Sequence, residues 1–147
     1  MTRRIFLAAW GFVLVASAPF ARAQDSSFTR TEDVIYGRKF GTALTLDVFQ
    51  PTKPNGCAVI YMVSGGWFSA KTSINPGFYQ PFLDRGYTVF AVVHGSQPKF
   101  TIPEITQDIH RAIRFVRSNA VKWGVKSDKF GIAVTSALKC RDIRHWS

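Results

Sequence analysis

A pair of glycines followed by a tryptophan, Gly65-Gly66-Trp67, is the stretch of this sequence best suited to chemistry. It comes directly after the short apolar run from Cys57 to Val63. A run of this length closed by a turn signal is typical of a strand buried on both faces of a parallel sheet. Ligands of open α/β folds bind at the carboxyl ends of such strands, where glycines leave backbone N–H groups free. The loop is therefore a candidate for stabilising negative charge on a substrate. The alternative is that the glycines only turn the chain.

Metal-ligating residue types are few in this sequence. They are two cysteines, Cys57 and Cys140, and three histidines, His94, His110 and His145. Because these residues show no ligand spacing, we predict no metal site and no other cofactor. In an oxidising compartment the two cysteines can form one disulfide, but the sequence alone does not say whether they meet in space.

The elements before the glycine loop are predicted to form an antiparallel hairpin at the edge of a sheet. Two β-rich runs, Thr31–Arg38 and Ala43–Phe49, are joined through Gly41. The second run alternates apolar and polar residues, which indicates that one of its faces is wetter than the other.

The elements after the loop are predicted to form a strand, helix, strand unit. A short helix starts at Asn75-Pro76 and ends before Gly86, and a second apolar run covers Tyr87–Val93. This order favours two parallel strands with a right-handed crossover.

The longest helix signal starts at Thr101, which stands at capping-box spacing from Glu104, and continues to Gly124. Arg111, Arg114 and Arg117 share its polar side, which we interpret as a solvated face, and Asp108 can pair locally with Arg111. A strand follows over residues 129–134. The predicted fold class is α/β, with a mainly parallel sheet that has helices on both faces.

The first 23 residues are predicted to be a secretory signal peptide, because Arg3 and Arg4 precede an apolar run and residues 21–23 read Ala-Arg-Ala. The mature protein is then secreted or periplasmic, with no membrane span, and residues 24–30 form a flexible leader. Loss of residues 1–23, which hold three Arg and no acid, lowers the net charge from +10 to +7. The cations are spread along the chain, so we expect no nucleic-acid partner.

In the order of its elements the chain resembles the α/β-hydrolase family, within the secreted esterase and lipase branch that includes acetyl-xylan- and feruloyl-esterase-like enzymes. Four features carry this resemblance: the hairpin, the loop Val63–Trp67, the stretch over residues 91–120, and the strand KFGI leading to Ser136. Together they cover about residues 31–137. The resemblance implies hydrolysis of a carboxylic ester, either of a small molecule or linked to a polysaccharide, without a cofactor.

The glycine loop matches the family's His-Gly-Gly-Gly-Trp loop in its last three residues. The resemblance implies that the amides of Gly65 and Gly66 form an oxyanion hole and that Trp67 lines the substrate pocket. Ordinary core packing remains the alternative for Trp67. Val63 and Ser64 stand in place of the family's His and first Gly.

The position of the family's nucleophile, in a Gly-x-Ser-x-Gly turn, is held by Ser136. Val134 and Leu138 replace the two glycines. The family's acid and His follow much later in the chain, whereas here only Asp142 and His145 follow, in a short tail. His94 lies where the resemblance assigns no triad member, so we expect it to be structural or to face the substrate.

These departures indicate a truncated hydrolase. We expect residues 31–138 to be the N-terminal half of the domain and residues 139–147 to be an aberrant tail, produced by a frame change or early stop near Ala137. Such a chain would lack a complete triad and would leave an unpaired sheet edge. The alternative function is a non-catalytic exported domain that binds acidic polymers through its basic surface and the Trp67 cleft. The sequence does not give the oligomeric state.

Overall fold

The structure is a computed structural model that describes residues 27–134. Its strands are β1 (Phe28–Lys39), β2 (Thr42–Pro51), β3 (Ala58–Met62), β4 (Thr88–Val92) and β5 (Phe130–Val134). Its α-helices are α1 (Gln80–Leu83) and α2 (Ile102–Ser118), and short 3₁₀ helices cover Lys71–Ser73, Pro76–Phe78 and Ala120–Trp123.

The five strands form one mixed sheet in the order β1-β2-β4-β3-β5. β2 pairs antiparallel with both β1 and β4, whereas β3 pairs parallel with both β4 and β5. The predicted edge hairpin and the parallel β3–β4 unit are confirmed. The sheet is evenly mixed rather than mainly parallel, because the hairpin enters it through antiparallel pairs on both sides of β2.

The start of β1 corrects the predicted boundary of the flexible leader. The strand begins at Phe28, which pairs with Pro51, so residues 28–30 belong to the sheet. The reason is packing between distant parts of the chain: the Phe28 ring lies 5.5 Å from the Phe49 ring in an edge-to-face contact. Residues 1–26, with the predicted signal peptide, lie outside the described range.

The prediction that one face of β2 is wetter holds at the start of the strand, where Ala43 is exposed, but not over residues 47–49, which are buried on both faces. Asp47 is only 1% exposed and Phe49 is fully buried. The Asp47 carboxylate accepts hydrogen bonds from the Arg30 guanidinium, at 3.0 Å from Nε, and from the Asp33 amide at 3.0 Å. A buried carboxylate is tolerated because it is paired and hydrogen-bonded.

Apolar side chains pack on both faces of the sheet, as the α/β class requires. On one face Ile60 and Phe90 pack with residues of α2, among them Ala112 and Val116. On the opposite face Val59 and Val89 pack with residues around α1.

Of the two predicted helices, the longer one agrees with the structure and the shorter one is largely absent. Thr101 and Glu104 make the predicted capping box at the start of α2, with the Thr101 amide donating to Glu104 at 2.8 Å. The α-helical conformation ends at Ser118, and a 3₁₀ turn continues to Gly124, which has a φ of 65°. The helix predicted after Asn75 is reduced to a 3₁₀ turn and the four residues of α1.

Within residues 27–134, β5 pairs with β3 alone, so its other edge is unpaired there. Its last residue, Val134, is 52% exposed. Over the same range, none of the helices has the length and hydropathy needed to cross a bilayer.

Candidate functional site

The carboxyl ends of the parallel strands lie side by side and define the candidate site. Met62 at the end of β3 pairs with Val92 of β4 on one side and with Val134 of β5 on the other. The ends of these three strands therefore lie next to one another, at the edge where open α/β sheets bind ligands.

The glycine loop after β3 is a two-residue hairpin turn. The Gly65 amide donates to the Phe68 carbonyl at 2.9 Å, and the Phe68 amide donates to the Gly65 carbonyl at 3.0 Å. The two central residues have positive φ angles, 57° at Gly66 and 65° at Trp67. Positive φ at both central positions is the signature of a type I′ turn.

This turn changes which amides are available to a ligand. The Gly65 N–H is engaged by Phe68, so in this conformation it does not face a cavity. Among the residues that the structure describes, the N–H groups of Gly66 and Trp67 have no hydrogen-bond acceptor. The sequence pointed to Gly66 but missed the Trp67 amide, since nothing in the residue order gives the φ angles. An oxyanion role for Gly65 stays a prediction that requires the turn to open.

Trp67 is not a core residue, because it is 40% exposed at the tip of the turn. Its positive φ is unfavourable for a residue with a Cβ, by about 1–2 kcal/mol. Neighbouring contacts hold it there: its carbonyl accepts a hydrogen bond from the Gln97 amide at 3.1 Å. Such strain is concentrated at functional sites, which agrees with the predicted pocket role without testing it.

Two serines clamp the turn to the segment that follows β4. The Ser69 amide donates to Ser96 Oγ at 2.8 Å, and Ser96 Oγ donates to the Ser69 carbonyl at 2.7 Å. Ser69 Oγ in turn donates to the Val63 carbonyl and accepts from the His94 amide at 3.2 Å. The glycine turn and the His94 segment therefore form one hydrogen-bonded unit.

His94 is buried, with 3% of its surface exposed, and its ring is oriented by the next residue. Nδ1 lies 2.6 Å from the Gly95 carbonyl. Because a carbonyl only accepts, Nδ1 carries the proton of this hydrogen bond, and Nε2 of the neutral ring is an acceptor. His94 lines a cavity of about 360 Å³, called here the His94 cavity, whose walls are residues 42–44, 69–71 and 93–97 with Lys99 and Phe100.

Helix α2 packs against the His94 segment, and a buried carboxylate of the helix, Asp108, lies at this contact. Asp108 is 1% exposed, and it contacts Lys39 Nζ at 3.3 Å and the Arg111 guanidinium at 3.5 Å. The predicted Asp108–Arg111 pair is confirmed, but Asp108 is buried and Arg111 is half-buried rather than solvated. A Cβ at Gly95 would lie 2.7 Å from the Phe100 ring and 3.0 Å from Asp108, so the segment packs closely on the helix.

A tyrosine from the edge strand completes this support. The Tyr36 hydroxyl donates to the Val93 carbonyl at 2.9 Å. Burial, together with the nearby Asp108 charge, raises the pKa of Tyr36 above its ordinary value, so the phenol remains a donor.

A second depression, of about 310 Å³, lies along the exposed side of α2 and is lined by Thr106, Gln107, His110, Arg111 and Arg114. It contains none of the site residues that the hydrolase resemblance implies, which are Gly65, Gly66, Trp67 and Ser136.

Several predicted residues fall outside the described range: Ser136, Leu138, Cys140, Asp142 and His145. Ser136 as nucleophile and the incompleteness of the triad therefore stay predictions, and whether Cys57 and Cys140 pair stays open. Over residues 27–134, no three His, Cys, Asp or Glu side chains come together as metal ligands would.

Comparison with known proteins places this geometry in a family. The family model described as BD-FAE matches residues 46–137, more than half of the chain. The comparison with curated proteins gives no match.

Solved structures of esterases share the fold. A truncated form of a carbohydrate esterase from gut microbiota is 29% identical, with a TM-score of 0.62, and the match covers 76% of this chain and 41% of that one. A bifunctional GH43-CE protein of Bacteroides eggerthii is 28% identical, with a TM-score of 0.61, covering 71% of this chain and 14% of that one.

A hyperthermophilic esterase from the archaeon Pyrobaculum calidifontis is 24% identical, with a TM-score of 0.64, and the match covers 74% of this chain and 36% of that chain. At this identity the likeness concerns the fold alone. The chain thus spans less than half the length of the solved structures it matches, and the prediction of a partial α/β-hydrolase sheet is confirmed.

Proposed function

Because the chain belongs to the BD-FAE family of esterase-like α/β-hydrolases, we propose that it carries the oxyanion loop and the nucleophile of a serine carboxylic-ester hydrolase. The family and the fold support a carboxylesterase-like function. The proposal adds the roles of individual residues: Ser136 attacks the ester, and amides of the glycine turn hold the developing negative charge.

The observation that carries this proposal is the register of β3 and β5. Met62 pairs with Val134, so the two strands end at the same level of the sheet. Ser64 and Ser136 each follow two residues later, and two residues span at most about 7 Å. This short reach supports the proposal that Ser136 lies near the start of the glycine turn, the proximity that acyl transfer requires.

The turn amides suit the charge that develops in the reaction. As the Ser136 oxygen bonds to the ester carbonyl carbon, its hydroxyl proton passes to the base of the triad and the π electron pair moves onto the carbonyl oxygen. When this pair returns, the bond to the alcohol oxygen breaks and the alcohol leaves with that proton; water then hydrolyses the acyl-serine. The base belongs to the part of the triad that the sequence predicts this chain to lack, so the proposal assigns to this chain only the nucleophile and the oxyanion loop. The exposed amides of Gly66 and Trp67 are the proposed donors to the oxyanion, and loss of one such donor costs about 3–4 kcal/mol of barrier.

The substrate class is proposed from the relatives. Two of the similar structures are named as a carbohydrate esterase and as a bifunctional GH43-CE protein. We therefore propose an ester linked to a polysaccharide as the substrate. Export of the chain, with cleavage after Ala23, is proposed on the sequence of residues 1–23 alone.

A serine-directed fluorophosphonate tests the proposal on the full chain. We expect mass spectrometry to find the phosphonyl group on Ser136, and Ser136→Ala to abolish labelling. Ser118→Ala is the matched control, because Ser118 is an exposed serine of α2. Its hydroxyl donates to carbonyls of the same helix and accepts a hydrogen bond from the side-chain amide of Asn119. Absence of labelling in the wild type, or equal labelling of Ser136→Ala, would refute the assignment of the nucleophile.

A further inference from the structure

The His94 cavity is an open, mainly apolar space with a few polar groups, and the proposed ester hydrolysis leaves it without a role. It opens at the carboxyl end of β4, between the start of β2 and the Ser69–Lys71 segment. Its volume of about 360 Å³ lies within the range of small-ligand sites. A volume of this size is large enough to admit one sugar ring.

The buried histidine supplies an acceptor to this cavity. Its Nδ1 hydrogen is committed to the Gly95 carbonyl, which fixes the tautomer. Over residues 27–134, Nε2 makes no hydrogen bond, although 97% of the residue's surface is covered. Within that range, the one fully buried side-chain nitrogen or oxygen without a partner is Nε1 of Trp123, so Nε2 of His94 keeps some access to the cavity that His94 lines. An accessible ring nitrogen of this kind is suited to a ligand hydroxyl, which can donate a hydrogen bond to it.

The charge of the lining favours an anion. Two ammonium groups, Lys71 and Lys99, line the cavity, and no carboxylate does. Lys71 is already neutralised by Asp33 and Glu32, and the hydrogen bond with Asp33 raises its pKa. Lys99 donates to Thr42 Oγ1 at 3.1 Å and contacts no acidic group of the described chain. Lys99 is therefore the cation in the lining whose charge remains uncompensated.

The lining also has an apolar wall. Leu44, Val93 and the Phe100 ring face the space beside the polar groups. A wall of this kind suits the C–H face of a sugar ring, which orients the hydroxyls toward the polar side.

We propose that the His94 cavity binds a sugar acid: a monosaccharide whose carboxylate contacts Lys99 and whose hydroxyl donates to Nε2 of His94. A simple carboxylate does not satisfy this site, because it has no hydrogen to donate to Nε2. A neutral sugar leaves the Lys99 charge uncompensated.

The test is an NMR titration of the ¹⁵N-labelled full chain with D-glucuronate, D-glucose and acetate. We expect glucuronate to shift the amide signals of residues 94–97 and to bind about tenfold or more tightly than either comparison ligand, since each of these lacks one charge-assisted or hydroxyl contact. A further titration with trigalacturonate shows where the sugar acid comes from. If trigalacturonate binds more tightly than the single sugar acid, the natural ligand is a residue of an acidic polysaccharide. If trigalacturonate does not bind, the natural ligand is a free sugar acid.

Lys99→Met tests the anion contact without disturbing the core, because Lys99 is exposed. We expect about tenfold weaker glucuronate binding. Lys99 Nζ lies over the Phe100 ring at 5.3 Å from its centroid. Lys122→Met is the matched control, since Lys122 lies in the same way over the Trp123 ring, at 4.9 Å, but outside the cavity. Equal affinity of Lys99→Met and Lys122→Met, or equal binding of glucose and glucuronate, would overturn the proposal. Ser136→Ala should bind as the wild type does, so this test fails or succeeds independently of the esterase assignment.

Discussion

Replacing Asp108 by alanine should destabilise the domain strongly, because Asp108 is the buried anion between α2 and the His94 segment. Its side chain is 1% exposed and neutralises Lys39, whose side chain is 12% exposed. Removing one partner of a buried ion pair costs about 3–5 kcal/mol, since the other charge is left uncompensated. Here Lys39 keeps a distant contact with Glu104 at 3.9 Å, and Arg111 is partly solvated. We therefore expect the lower end of this range, about 3 kcal/mol.

Urea unfolding measures this loss. With a slope of about 2 kcal/mol per molar urea, the midpoint of Asp108→Ala should fall by about 1.5 M. Asp108→Asn keeps the volume and a hydrogen-bond acceptor, so we expect a smaller loss of about 1–2 kcal/mol. In both variants, amide hydrogen exchange at residues 94–97 should accelerate, since these residues pack on Asp108 through Gly95.

Asp84→Ala is the matched control. Asp84 is an exposed carboxylate that accepts a hydrogen bond from Gln80 at 2.6 Å, so its loss should cost at most about 0.5 kcal/mol. If Asp108→Ala costs no more than this control, Asp108 does not act as the buried counter-charge and the reasoning is wrong.

Three further outcomes are expected. Hydrogen bonds from Thr101 lower the pKa of Glu104 below its ordinary value of 4.5. The stabilisation that Glu104 contributes is therefore present above pH 4.5 and is lost as the pH falls through the lowered pKa; acid unfolding curves should show this loss in the wild type and not in Glu104→Gln. Gly86→Ala should lower the free energy of unfolding, measured in urea, by more than Gly124→Ala does. Both glycines have a positive φ, but only at Gly86 would the new Cβ lie 2.7 Å from a backbone oxygen. Equal losses of stability in the two variants would refute this steric reason. Ser69→Ala should cost about 1–3 kcal/mol and speed hydrogen exchange in the glycine turn, whereas Ser118→Ala should do neither.

Local patterns were enough to predict the framework of this fold. The hairpin around Gly41, the buried strand after Cys57 and the capping box at Thr101 each depend on residues within a few positions of one another. Patterns of this range fix periodicity, turns and caps without reference to distant residues. The order of these elements, through its resemblance to the α/β-hydrolases, also led to the family that the comparison shows.

The environment of the buried charged residues was decided only by contacts between distant residues. The alternation of β2 predicts Asp47 on the wetter face of the strand. In the structure Asp47 is buried and pairs with Arg30, 17 positions away. Asp108 is buried because Lys39, 69 positions away, neutralises it. Such pairings follow from how the elements pack, which a local pattern does not contain.

The glycine loop shows most clearly which properties the sequence determined and which only the tertiary structure decided. The sequence by itself placed Gly65 and Gly66 at the end of a buried strand, because a short apolar run and paired glycines are local signals. Only the tertiary structure decided that Gly65 closes a turn with Phe68 and that Trp67 takes a positive φ, held by Gln97 and by the Ser69 clamp. Backbone N–H groups point where φ, ψ and long-range hydrogen bonds direct them, and those are properties of the folded chain rather than of residue order.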